Sequence, residues 1–264
     1  MPLREVNGVR LLVEESGSGD PLVLVHGSWD DRQAWVLVED DLACRFRVVS
    51  YDRRGHTGSE DGAERGSRRD DEDDLAGLIE TLGLAPAHVV ANSFGASIAL
   101  GLAARQPELF RTLCAHEPPL VSLAADDPAV ATFGEAVPPV LELIGRGEPE
   151  AAAREFVEIV LGPGAWDMMH EAERATMVAN ADTFAGEALD PAWADIDLDA
   201  LGGITVPVLL TQGDQSPPMF ARIIARLAAA MDNAEVRTLP GAGHVPHATH
   251  PGAYVAVISR HAAG

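Results

Sequence analysis

Ser93 stands where a β-branched run stops and small residues open a helix, in His88-Val-Val-Ala-Asn-Ser-Phe-Gly-Ala-Ser-Ile-Ala. A turn of that kind lifts a serine hydroxyl above the sheet, where it can attack a carbonyl carbon. The usual form is Gly-x-Ser-x-Gly. Here it reads Ala91-Asn92-Ser93-Phe94-Gly95, with an alanine still small enough for close packing and Gly95 keeping the gap. A hydroxyl is a weak nucleophile until a base takes its proton, and imidazole has the pKa for that exchange near neutrality. Among nine histidines, His244 is the obvious base: it lies in Leu239-Pro-Gly-Ala-Gly-His-Val-Pro, where the glycines let a loop carry the ring over the serine. His26 reads as structural, and His56, His88, His170 and His261 fall in loops or helices. His244, His247 and His250 recur at every third position, as metal ligands can. Pro246 and Pro251 argue against a helix presenting them together, and no acid or cysteine joins them, so no metal is expected.

The elements that would position these groups alternate. Asn7-Gly8 is a two-residue hairpin signal joining two opening strands over residues 3–14. Residues 21–26 are a short, continuous run of buried-strand type, residues 46–51 are the next strand, and a helix is expected over 30–43 between them. Acids massed in the first turn and Gly83 at the end mark a helix over 70–82. The serine turn, a helix over 95–105 and a strand over 111–116 follow. After residue 203 come a strand (206–211), a helix (218–231), a strand (235–239) and a last helix (251–261). This order is that of an α/β protein with a mostly parallel sheet covered on both faces. Residues 118–203 break the rhythm with helical patterns at 129–146, 149–161 and 168–185. Roughly 85 residues exceed any ordinary crossover and read as a helical cap over the carboxyl ends of the strands, where α/β sheets bind ligands.

The surface chemistry narrows the partners. A net charge of −22 repels nucleic-acid phosphates and anionic lipid, so neither nucleic acid nor membrane is an expected partner. Cys44 and Cys114 read as two buried thiols of a reducing compartment, and no signal-peptide core or membrane-length run appears, so a cytoplasmic protein is expected.

The chain resembles the α/β-hydrolase family over essentially its whole length: the hairpin start, His26-Gly27 after the first buried strand, Asp52-Arg-Arg-Gly55 after the next, the serine turn and the late Gly243-His244 come in family order. The resemblance implies an eight-stranded sheet, with residues 1–117 and 204–264 as the hydrolase core, 118–203 as the cap, and a Ser…acid…His order. Most relatives carry the acid about nine residues beyond a proline such as Pro207, and that place holds Ser216, with Asp214 two residues early. Glu117, in His116-Glu117-Pro118-Pro119, ends the sixth strand 24 residues after Ser93, room for one helix and one strand back to the same sheet edge. Neighbouring strands lie about 4.8 Å apart, so its carboxylate can reach an imidazole over the serine. A branch of the family that includes zearalenone lactonase has its acid there, and a cap stretch similar to Gly164-Ala-Trp-Asp-Met-Met-His-Glu-Ala-Glu-Arg. The resulting triad is Ser93, His244 and Glu117, with Asp214 as the alternative acid.

By the same resemblance the oxyanion hole is formed by the backbone N–H groups of Phe94 and Ser28, while Trp29 and Trp166 are pocket walls, and Asp52-Arg53-Arg54-Gly55 is a structural turn. The expected activity is hydrolysis of a carboxylic ester or lactone through an acyl-enzyme, with that small molecule as the expected partner and no cofactor. The same triad serves carbon–carbon bond hydrolysis and peracid formation, and the fold also serves as a small-molecule receptor. Serine argues against halide or epoxide displacement, since attack at carbon would leave a stable ether.

Overall fold

The computed structural model describes residues 2–62 and 66–264. Its strands are β1 (Leu3–Val6), β2 (Val9–Gly17), β3 (Asp20–Val25), β4 (Phe46–Tyr51), β5 (Ala87–Asn92), β6 (Phe110–His116), β7 (Val208–Gly213) and β8 (Ala234–Leu239). They form one eight-stranded sheet in the order β1-β2-β4-β3-β5-β6-β7-β8. β1 and β2 run antiparallel around Asn7 and Gly8, both at positive φ, and every pairing from β4 to β8 is parallel. Parallel strands buried on both faces are largely apolar, and β3, β4 and β5 each carry paired β-branched or leucine residues at their centres.

Helices cover both faces. On one lie α1 (Val36–Ala43) and, at the chain's end, α11 (Pro246–Thr249) and α12 (Pro251–Ala262), which with Leu22, Leu24, Val48 and Tyr254 enclose one apolar layer. On the other lie α2 (Arg68–Thr81), α3 (Phe94–Arg105) and α10 (Pro218–Ala230), whose apolar faces close over Val23, Val25, Val89 and Leu113. A reciprocal cap between Ser67 and Asp70 starts α2. α1 is shorter than the sequence suggests because residues 32–35 turn as a 3-10 helix, capped by the Asp31 side chain. Cys44, expected to be buried, is exposed at the end of α1, whereas Cys114 is buried in β6 and its thiol is pushed up to about 12 by burial.

Between β6 and β7 come α4 (Pro128–Gly145), α5 (Pro149–Leu161), α6 (Ala165–Met168), α7 (Glu171–Ala179), α8 (Ala181–Leu189) and α9 (Leu198–Leu201). The helices α4 to α8 share a small apolar core around Val140, Val157, Trp166 and Phe184, joined by Trp29 from the sheet side. The single helix expected over 168–185 is two helices, broken at Asn180. The Asn180 amide donates to the carbonyls of Trp29 and Asp30 at 3.2 and 2.9 Å and accepts from the Thr57 N–H at 2.9 Å, which fastens α8 to two core loops. No helix among the described residues is long and apolar enough to cross a membrane.

Candidate active site

The register of the sheet brings the chemistry together. Asn92, His116 and Thr211 lie side by side across β5, β6 and β7. The next residues along β5 and β6 are Ser93 and Glu117, so both leave adjacent strand tips at the same level. Both have positive φ, +55° for Ser93 and +45° for Glu117, a left-handed conformation that costs a non-glycine residue about 1–3 kcal/mol and is held only where the surroundings enforce it. Backbone bonds enforce it here: Ser93 N–H donates to His116 O at 2.8 Å, and Glu117 N–H to Thr211 O at 3.2 Å. A Cβ at Gly95 would stand 2.5 Å from His26 O, so only glycine lets α3 start this close to β3.

Glu117 is fully buried, yet both carboxylate oxygens are used. Oε2 lies 2.7 Å from Nδ1 of His244, and Oε1 accepts the Gly213 N–H at 2.7 Å. Burial alone would push the carboxyl up. The hydrogen bond from His244 and the nearby His116 and His244 rings outweigh that and hold it below the usual range, with a smaller effect from Ser216, whose hydroxyl lies outside hydrogen-bond geometry. His244 is 6% exposed, its ring is stacked on Phe220 at 4.5 Å, and its backbone carbonyl accepts from the Asn92 amide at 3.0 Å. Beneath them His116 is buried, its Nδ1 2.9 Å from the Thr211 hydroxyl and its Nε2 3.5 Å from Glu117, and burial brings its pKa down to about 4.

Asp214 is exposed at the end of β7, and its Oδ1 accepts from the Gly241 N–H at 2.8 Å and the Gln215 side chain at 3.0 Å. It ties down the loop that carries His244, while the ring itself is bonded to Glu117. The β7 end contributes through its backbone: a Cβ at Gly213 would stand 2.2 Å from Ala242 O, so a glycine there is what admits that loop.

One cavity is lined by Ser93, His244, Ser28 and Phe94. Phe94 is the first residue of α3, whose N–H has no partner within the helix. The Gly27 carbonyl is gripped by His26 Nδ1 at 2.9 Å and Arg53 Nη2 at 3.1 Å. Because the peptide is planar, that grip fixes the direction of the Ser28 N–H. His26 is held neutral, burial and the charge of Arg53 both lowering its pKa well below the usual value, and its Nε2 accepts from Arg53 N–H at 3.0 Å.

The cavity walls differ from the sequence expectation. Phe133 and Val137 of α4, Phe156 and Val160 of α5, and Phe184 of α8 supply them, with Trp193 and Phe220. Trp29 and Trp166 line no part of it. Trp29 stacks behind Phe156 and Phe184 at 5.3 and 5.1 Å, and Trp166 is buried between helices, flanked by Arg154 and Arg174. Both indoles fill space between helices, as large rings do where three elements meet. The cavity also holds Glu187 of α8, which the sequence reading passed over. Its signal was present: it lies three residues after Phe184, an acid on the apolar face of a helix.

His244, His247 and His250 do not converge. His247 is buried against Trp35, and His250 is bonded to the Thr249 hydroxyl. Among the described residues, the grouping close enough to hold a cation is His116, Glu117 and His244, with ligand atoms within 4.8 Å of one another. The 2.7 Å contact within it has the length of a charge-assisted hydrogen bond.

The sequence model described as "Alpha/beta hydrolase family" matches residues 22–257. The chain is 29% identical over 258 residues to 2-(acetamidomethylene)succinate hydrolase of Mesorhizobium japonicum, covering 94% of this chain and 89% of that one. Over a shorter stretch of 110 residues it is 40% identical to 2-hydroxymuconate semialdehyde hydrolase of a Pseudomonas species, covering 40% of this chain and 39% of the relative. Among solved structures, an alpha/beta hydrolase from Sphaerobacter thermophilus superposes with a TM-score of 0.78 at 28% identity, covering 99% of this chain and 98% of the other. The sheet order, the strained serine turn and these likenesses agree: the chain belongs to the α/β-hydrolase family.

Proposed function

We propose that this hydrolase cleaves a carboxylic ester or lactone through an acyl-enzyme on Ser93. The observation that carries the reading is the 2.7 Å bond between Glu117 and Nδ1 of His244, which leaves Nε2 as the ring nitrogen to serve Ser93 in the shared cavity. Nε2 takes the Ser93 proton as Oγ bonds to the substrate carbonyl carbon, and the oxyanion draws on the N–H groups of Phe94 and Ser28. The imidazolium then gives its proton to the departing alkoxide. Water, deprotonated by the same nitrogen, attacks the acyl-enzyme, and collapse returns the proton to Ser93. Glu117 stays ionised throughout, fixing the tautomer and stabilising the imidazolium, as the bonds that hold its carboxyl low require. Asp214 serves the loop, not the ring.

The lining favours a neutral, largely apolar substrate. It holds one carboxylate, Glu187, and neither arginine nor lysine. A dianionic succinate, as in the name of the Mesorhizobium relative, would find no cation on that lining to replace its hydration. Carbon–carbon bond hydrolysis by the same triad is the second reading, favoured by the local likeness to the semialdehyde hydrolase.

The test combines a fluorophosphonate probe with a substrate panel. Mass spectrometry should find the adduct on Ser93, and p-nitrophenyl esters or lactones should be turned over faster than vinylogous diketones. Folded protein that takes no label and cleaves no ester would overturn the reading, and preferential diketone cleavage would replace it with the second.

A further inference from the structure

Resting on that reading of Ser93, we propose that Glu187 selects the substrate: its free carboxylate oxygen accepts a hydrogen bond from a hydroxyl or N–H carried on the otherwise apolar part of an ester. Glu187 is 7% exposed and lies on the cavity wall. Its Oε1 is committed to an ion pair with Nη2 of Arg53. Arg53 is held by other partners as well. It is fully buried, donates to Asp71 and to the Gly27 carbonyl at 3.1 Å each, and lies 5.2 Å from the centre of the Phe94 ring. Oε2 is left buried without a hydrogen-bond partner.

A buried acceptor oxygen without a hydrogen-bond partner is a standing cost, relieved when a donor arrives. The rest of the wall offers no such feature, being built of phenylalanine, valine, alanine, proline and tryptophan, apart from the reacting groups Ser28, Ser93 and His244. A substrate that brings a donor to Glu187 therefore gains a bond that its methylated analogue cannot make, and the analogue leaves the oxygen unsatisfied. The class recognised is an ester whose apolar or aromatic body bears one hydroxyl or amide N–H, and carboxylates are refused.

The experiment compares three p-nitrophenyl phenylalkanoate series of graded chain length, with a ring hydroxyl, a ring methoxyl or neither. At the best-fitting length the wild type should favour hydroxyl over methoxyl by about 10- to 100-fold in kcat/KM. Glu187→Gln keeps the shape. Arg53, a pure donor, holds the amide oxygen, so the NH2 takes the place of Oε2 and the preference should invert toward the methoxyl acceptor. Glu187→Ala, which presents neither, should bring the ratio near one and stands in if the glutamine variant misfolds. The ratio cancels any loss of catalytic power common to both substrates. Equal turnover of hydroxyl and methoxyl esters by the wild type, or a preference untouched by either variant, overturns the inference alone. Failure to turn over any of the three series sinks the ester reading and the inference with it.

Discussion

The carboxyl ends of β6 and β7 lie side by side, each with an acid just past it, and they do different work. At β6, Glu117 is buried, strained in its backbone, and bonded to His244 and Gly213. At β7, Asp214 is exposed and spends its carboxylate on the turn at Gly241. One end holds a charge away from water and aims it, and the other holds a loop in place. A carboxylate at Glu117 can set the tautomer of an imidazole because protein donors alone satisfy it, whereas a solvated one at Asp214 is screened by the water around it. Position along the sheet edge, not the presence of an acid, separates the two.

The largest expected effect removes the ring that the β6 end serves. His244→Ala should lower kcat by about 10⁶-fold, the cost of deleting the base from a triad of this kind, measured with a p-nitrophenyl ester. A sharper test moves the acid across the strand boundary. Ser216 adjoins Glu117, so Glu117→Gln combined with Ser216→Asp should recover at least about tenfold of the rate that Glu117→Gln loses, which is about 1.4 kcal/mol of barrier. No recovery in a folded double variant would mean that only the β6 tip can aim a carboxylate at the ring.

Smaller effects probe the footing of each end. His116 is buried with its pKa lowered to about 4, so the unfolded chain binds a proton there that the native state refuses between its usual value and that figure. Stability contributed by the neutral ring is present above the unfolded pKa and is lost as pH falls below it. His116→Gln should therefore shrink the loss of unfolding free energy between pH 7 and pH 5 by about 2 kcal/mol, read from urea midpoints at the two pH values. At the β7 end, Asp214→Ala removes the acceptor of the Gly241 N–H and should cost about 1 kcal/mol of stability, seen as a small fall in Tm.

The sheet and its serine turn were legible in the sequence because their causes are local. β-branched runs, Asn7-Gly8 and Gly95 each impose one backbone geometry. The place of Glu117 followed from chain length, since one helix and one strand return to the neighbouring tip. The cavity walls were not legible. Trp29 and Trp166 are large enough to be expected at a pocket, yet which side of a helix faces a cavity depends on how α4, α5 and α8 pack, and that is a tertiary choice. Asn180 hid the break between α7 and α8 for a related reason: its side chain leaves the helix to bond loops more than a hundred residues away. The role of Gly213 also lay beyond reach, because the loop that needs its missing Cβ arrives from the far end of the chain.

The most direct measurement is kcat for Glu117→Gln and Asp214→Asn on one ester, at matched folded fraction. A neutral amide in place of the triad acid costs about 10⁴-fold, so Glu117→Gln should fall by that order while Asp214→Asn stays within about twofold of the wild type. The reverse ranking would place the acid at the end of β7 and contradict the account.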